Sequence, residues 1–145
     1  MSGAEQEFRR LGFQQGVSMW TVFITDWHPT SVNVLLGAAY AGRGARFAAA
    51  ARKREDAKLL AIYCRVFEVP RATGPRRVSL TLGLGPRMRS PDPDNLWKSL
   101  LDGLVKCGVL VNDSPRWCEP RWCGTTRGLK ATTVVIEDLP KKMMQ

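Results

Sequence analysis

The chain has a single histidine, His28, and only 13 acids against 22 lysines and arginines. Zinc sites are built from cysteine and histidine, so this chain is short of ligands for one. Of its four cysteines, Cys118 and Cys123 lie closest together, in Trp-Cys-Glu-Pro-Arg-Trp-Cys. That spacing is loose for a zinc motif, and two ordinary strand cysteines account for it. Long apolar runs are also missing. No stretch reaches the roughly 20 apolar residues that a spanning helix needs. Residues 1–18 lack the apolar core of a signal peptide. These absences predict no membrane partner, reduced thiols and a cytoplasmic protein, nucleoid-associated or prophage-encoded among the options. No internal repeat or linker divides the 145 residues, so one domain is expected. At this size it buries about 68–70% of its unfolded surface and needs no covalent staples.

What the chain does have is positive charge. The formal charge is +9 and the pI is near 10.0, the electrostatic footprint of a nucleic-acid binder. Arg43, Arg46, Arg52, Lys53 and Arg54 cluster around the start of a first helix. Arg71, Arg76 and Arg77 form a second group, and Arg87 and Arg89 a third. Such residues fix the position of a phosphate backbone without reading sequence. The run 52–54 reads equally as a solvated face. The expected DNA contacts are Arg43, Arg46, Arg52, Lys53, Arg76, Arg77, Arg87 and Arg89, with Asn33 from a loop.

Hydrophobic periodicity gives the element order. Residues 1–18 read as a flexible extension, with Met19 an alternative start, and 139–145 as a frayed tail. Between them, 19–138 forms the domain. Trp20–Thr25 is a β-rich run. The loop Trp27-His28-Pro29-Thr30-Ser31-Val32-Asn33 follows, with His28 read as a turn residue rather than a base. Residues 46–67 read as a helix with Phe47, Ala51, Leu59, Ile62, Tyr63 and Val66 on its apolar face, stopped by Pro70. Val78, Leu80, Leu82 and Leu84 alternate with polar residues as a half-buried strand. Residues 95–107 form a second helix with Leu96, Leu100 and Leu104 in one stripe and Gly108 just past its end. Residues 117–123 predict an edge strand, because Pro120 cannot donate to a ladder. Trp117 and Trp122 suit a core or subunit interface better than stacking on bases. Residues 129–137 give the last strand. The fold class is therefore α+β: two main helices packed on a small mixed sheet, in the order β-α-β-α-β-β.

The most informative stretch is Asp92-Pro93-Asp94-Asn95-Leu96-Trp97-Lys98. Pro93 biases Asp92 toward an extended conformation, and residues two apart on an extended segment point the same way. Asp92 and Asp94 can thus converge on one hard cation, since Mg²⁺ is commonly held by one or two carboxylates plus substrate phosphates. Lys98 is an i+4 neighbour of Asp94. A plain structural reading stays open beside this one: the acids cap the helix, and Lys98 pairs with Asp94 or Asp102 on its surface. Asp113 lies beyond the second helix. A helix of about 13 residues spans roughly 20 Å, and the residues after Gly108 return about 16–18 Å when extended. Asp113 is therefore expected to complete the site in cis if the chain doubles back, with a second subunit as the alternative source of that acid.

This segment resembles the signature of the RusA-type Holliday junction resolvases, in which Asp-x-Asp-Asn-x-x-Lys is followed by a helix, a glycine and an acidic turn. Asp92, Asp94, Asn95, Lys98, Asp102, Gly108 and Asp113 stand at the family's spacing. The early loop resembles the family's Pro-Ser-x-Asn segment, and the element order agrees across 19–138. The chain departs at Asn112, where the family often carries a first acid of an adjacent pair. The resemblance implies a Mg²⁺-dependent endonuclease, with Mn²⁺ able to substitute. It would resolve four-way DNA by paired nicks in recombination and repair, as a homodimer without a small-molecule cofactor. Asp92, Asp94 and Asp113 would be the metal ligands, and Lys98 would donate to the phosphate or position the nucleophile. Two other readings are a noncatalytic DNA-binding relative and a small basic RNA-associated protein whose acids only cap a helix.

Overall fold

The computed structural model describes residues 18–31 and 43–140. Their elements are β1 (Met19–Thr25), α1 (Arg43–Val66), β2 (Arg76–Leu84), α2 (Asp94–Lys106), β3 (Cys118–Arg127) and β4 (Ala131–Asp138). This is the expected order, and each boundary falls within a few residues of the sequence reading. The expected flexible N-terminal segment and frayed tail lie almost wholly outside the described residues. Among the described residues, no helix is long and apolar enough to cross a membrane.

The strands form one mixed sheet in the order β1-β4-β2-β3. β4 pairs antiparallel with both β1 and β2, while β3 pairs parallel with β2. A parallel pair needs a crossover, and α2 supplies it. Strand alternation puts Val22, Ile24, Val78, Leu80, Leu82, Val134 and Ile136 on one face, each at most 1% exposed. Leu60 of α1 and Leu96, Leu100 and Leu104 of α2 cover that face. β3 is an edge strand, as Pro120 requires. Its pairing slips between Leu80 and Leu82, where Trp122 and Thr125 are the successive partners. Gly124, at φ +98, takes up the extra residue in a conformation costly for other residues.

α1 packs on a different stripe from the one its apolar residues suggest. Phe47, Ile62 and Val66 are 65%, 58% and 67% exposed, whereas Ala49, Asp56, Leu60 and Cys64 are buried. An apolar count misses this face because its central member is a carboxylate. Burying Asp56 is tolerated because four donors satisfy it. Trp27 Nε1 (3.1 Å), the Thr30 N–H (2.9 Å), Thr30 Oγ1 (2.6 Å) and Ser99 Oγ (3.3 Å) all donate to it, and a buried charge needs such partners.

The two helices run parallel. Ser99 meets Asp56, Gly103 meets Leu60, and Lys53 bridges to Asp102 at 2.9 Å. Gly103 allows the close approach: a Cβ there would lie 2.6 Å from Leu60 Cδ1. α2 ends in a Schellman arrangement. The Val109 N–H donates to the Leu104 carbonyl, and the Gly108 N–H to that of Val105. Gly108, at φ +81, supplies the left-handed residue that this motif needs.

Candidate metal and nucleic-acid site

One end of the molecule gathers most of the expected chemistry. β1, β2 and β3 all finish there, at Thr25, Leu84 and Arg127, and α2 starts there. In open α/β sheets, ligands gather outside the carboxyl ends of the strands, and a helix start favours anions. The loop after β1 is pinned at this end. His28 Nε2 lies 2.7 Å from the Gly83 carbonyl, and Thr132 Oγ1 donates to the Trp27 carbonyl at 2.6 Å. His28 thus ties the loop to β2. Through Thr30 and Asp56 the same loop is tied to Ser99 on the second turn of α2. Asn33 lies outside the described residues.

Asp92 and Asp94 are both exposed at this end. One Asp92 oxygen, Oδ1, accepts the Asp94 N–H at 3.1 Å, and the Asp92 carbonyl accepts from the Asn95 N–H at 3.1 Å. Asp92 therefore performs part of the capping work that the structural reading assigned to it. Its second oxygen is left for another partner. Pro93 occupies the N-cap position with no side-chain bond of its own. Lys98 is exposed one turn into α2. Asp102, an alternative partner for Lys98, is engaged by Lys53 instead.

The basic residues divide sharply. Arg87 and Arg89 are exposed in the loop leading to the acids, and Arg46 and Arg52 are exposed on α1. Arg43 opens α1. Arg127, which sequence reading missed, donates to the carbonyls of Gly85 and Met88 and so braces the loop that carries Arg87 and Arg89. In the sequence it lies between the expected strands 117–123 and 129–137, and only the longer β3 of the structure brings it to a strand end. Arg76 is not a DNA contact. It is 2% exposed and donates to Asp138 Oδ1 (2.8 Å) and to the carbonyls of Pro70 (2.8 Å) and Val109 (2.9 Å). Its guanidinium also lies 4.9 Å from the centre of the Trp20 ring. A group enclosed this way cannot reach a phosphate. Arg77 is held between Glu119 and Glu137 at 3.3 Å, and Lys53 is committed to Asp102. Both lend less positive charge to a ligand than their sequence clusters imply.

Asp113 is not where the cis expectation puts it. The chain stays at the far end of α2 after Gly108. The Ala72 N–H donates to the Gly108 carbonyl, and the Arg76 N–H to that of Trp117. The Ser114 carbonyl then accepts from both Trp117 and Cys118, and Cys118 pairs with Arg76, the first residue of β2. Asp113 lies close enough to Cys118 to raise its thiol pKa alongside burial, which is the larger cause. The 13 residues of α2, roughly 20 Å at 1.5 Å each, separate this turn from Asp94. Among the described residues, no group of three His, Cys, Asp or Glu side chains is placed to hold a metal. What one chain places at this end is two exposed carboxylates, a lysine and a basic rim; Pro93 between the acids is helical (φ −59, ψ −33), so Asp92 and Asp94 do not lie on the extended segment that was expected to point them the same way.

No protein-family model matches this chain, and neither does any curated protein sequence.

Proposed function

We propose that the chain is a Mg²⁺-dependent endonuclease of branched DNA that resolves four-way junctions as a homodimer, in line with its resemblance to the RusA-type resolvases. The observation that carries this reading is one exposed cluster. Asp92, Asp94 and Lys98 share the end of the molecule where Arg87 and Arg89 sit on a loop braced by Arg127. The donor set fits the ion, because two carboxylates with substrate phosphate oxygens are a common Mg²⁺ environment. Asp92 and Asp94 would hold the metal. A bound Mg²⁺ supplies Lewis-acid polarisation of a phosphoryl oxygen and of the attacking water.

The protein's own residues do the rest. Arg87, Arg89, Arg46 and Arg52 attract and position the backbone. Lys98 donates to the scissile phosphate as its charge grows. Asp56 ties the loop after β1 to α2 near the start of that helix. The position of Asp113 points to a second copy. A two-fold partner whose α2 runs antiparallel to this one would carry its Asp113 toward Asp92 and Asp94, and the arrangement would repeat at the second site. Such a pair offers two sites to the two opposed strands of a junction.

A noncatalytic DNA-binding relative is the second reading, favoured by the turn bond that already occupies Asp92 Oδ1. The deciding experiment incubates the purified protein with a synthetic four-way junction, with and without Mg²⁺. Paired nicks that require the ion and are absent from linear duplex support the endonuclease. Tight junction binding with no cutting in Mg²⁺ or Mn²⁺ supports the second reading and sinks the first.

A further inference from the structure

The turn that presents Arg87 is clamped from the neighbouring strand. β2 ends at Leu84, and residues 85–88 turn at once. Pro86 fixes φ at the second position of the turn, and the Met88 N–H closes it on the Gly85 carbonyl at 3.1 Å. Arg127, the last residue of β3, is the ladder partner of Leu84, and the Gly128 N–H donates to the Leu84 carbonyl at 2.8 Å. The root of the Arg127 side chain is thus fixed beside the root of the turn. Arg127 Nη1 donates to the Gly85 carbonyl at 3.1 Å and to that of Met88, the first and last residues of the turn.

The nitrogen that makes these bonds matters. Arginine carries five N–H donors in a planar fork, and Nε and Nη2 lie side by side on the edge away from Nη1. An edge with two parallel donors grips a carboxylate or a phosphate in bidentate fashion. In Arg77 that edge is taken by Glu119, with Nε and Nη2 each 3.3 Å from a carboxylate oxygen. In Arg127 it is left whole. Among the described residues, exposed Arg127 bonds through Nη1 alone, and neither Arg127, Arg87 nor Arg89 forms an ion pair.

We propose that Arg127 is a phosphate receptor as well as a brace. Nη1 stays on the turn, while Nε and Nη2 take a backbone phosphate of the DNA next to those that Arg87 and Arg89 attract. The anchored side chain is already ordered, so it gives up less freedom on binding than a free surface arginine does. A lysine could not hold both carbonyls and keep a planar fork for the ligand. The contact sets the position of the backbone and reads no sequence. This inference rests on the DNA-binding part of the reading above and is independent of cleavage.

The test titrates the full chain against a synthetic four-way junction in EDTA, so that cutting plays no part, at several salt concentrations. Each phosphate contact contributes about 0.9 to the slope of log affinity against log salt. Arg127→Gln should reduce that slope by about one, and by the same amount in an Arg87→Gln background. A reduction that vanishes in that background would make Arg127 only a brace for Arg87, and no reduction in either background would take it out of the interface. Both results overturn the inference. A second readout uses the unmutated chain: phenylglyoxal modifies exposed guanidinium groups, and the bound junction should protect Arg127. Equal modification with and without DNA overturns the inference even if Arg127→Gln fails to fold. A chain that binds the junction but never cuts it loses the endonuclease reading and keeps this one, while a chain that binds no DNA loses both.

Discussion

Arg76 and Arg87 flank the same strand, yet only one is free to meet a ligand. Arg76 fills its donors with Asp138 and two carbonyls inside the protein. Arg87 stands in solvent. Nothing in their neighbouring residues announces the difference, because a buried arginine is identified by its acceptors and those come from residues 70, 109 and 138. Asp94 was legible, since its spacing from Asp92 and Lys98 is local. Asp94→Asn is expected to abolish Mg²⁺-dependent junction cleavage while junction binding stays equal or tightens. The substitution removes a ligand charge and weakens repulsion of DNA phosphate. As an exposed first-turn acid, Asp94 contributes only about 0.3–1 kcal/mol to helix stability, so a melting curve should hardly move. Undiminished cleavage at saturating Mg²⁺ would remove Asp94 from the site.

At the scale of elements, α2 behaves as its sequence says and α1 does not. The α2 stripe of Leu96, Leu100 and Leu104 is buried and apolar, so periodicity alone finds it. On α1, Phe47, Ile62 and Val66 advertise one face while the fold uses the face of Asp56 and Leu60. The donors that make this possible, Trp27, Thr30 and Ser99, come from other elements. The end of α2 gives the sharpest local test. Gly108→Ala places a Cβ on a left-handed residue, costing about 1 kcal/mol, and pushes it against Arg71. Urea unfolding should show a loss of about 1–2 kcal/mol with an unchanged m-value. A loss near zero would mean that the Schellman turn is not held in solution.

For the whole molecule, the distance between Asp113 and the Asp92–Asp94 pair is the decisive feature. Mixing an Asp94→Asn chain with an Asp113→Asn chain tests how the ends meet. If Asp113 crosses to its partner, one site in each heterodimer keeps all its acids, and single nicks should reappear although each parent is inactive. If the acids act within one chain, every site stays defective and no nicking returns. Light scattering at micromolar concentration should accompany the assay, with an expected mass of about twice 16.2 kDa. A monomer that still makes paired nicks would refute the dimer.

The sequence by itself determined the elements, their order and the acidic motif at the start of α2. Each rests on short-range physics: side-chain alternation in strands, the helical repeat, and the φ and donor limits of proline and glycine. Only the tertiary structure decided which charges are usable. Burial and pairing are long-range facts, and they withdrew Arg76 into the interior, committed Lys53 and Arg77 to acids, and made Asp56 a structural hub. It also decided where Asp113 goes. Whether a turn doubles back along its helix depends on hydrogen bonds to residues far away in the chain. Here the bonds from Ala72 and Arg76 to residues 108 and 117 keep Asp113 at the opposite end from Asp94.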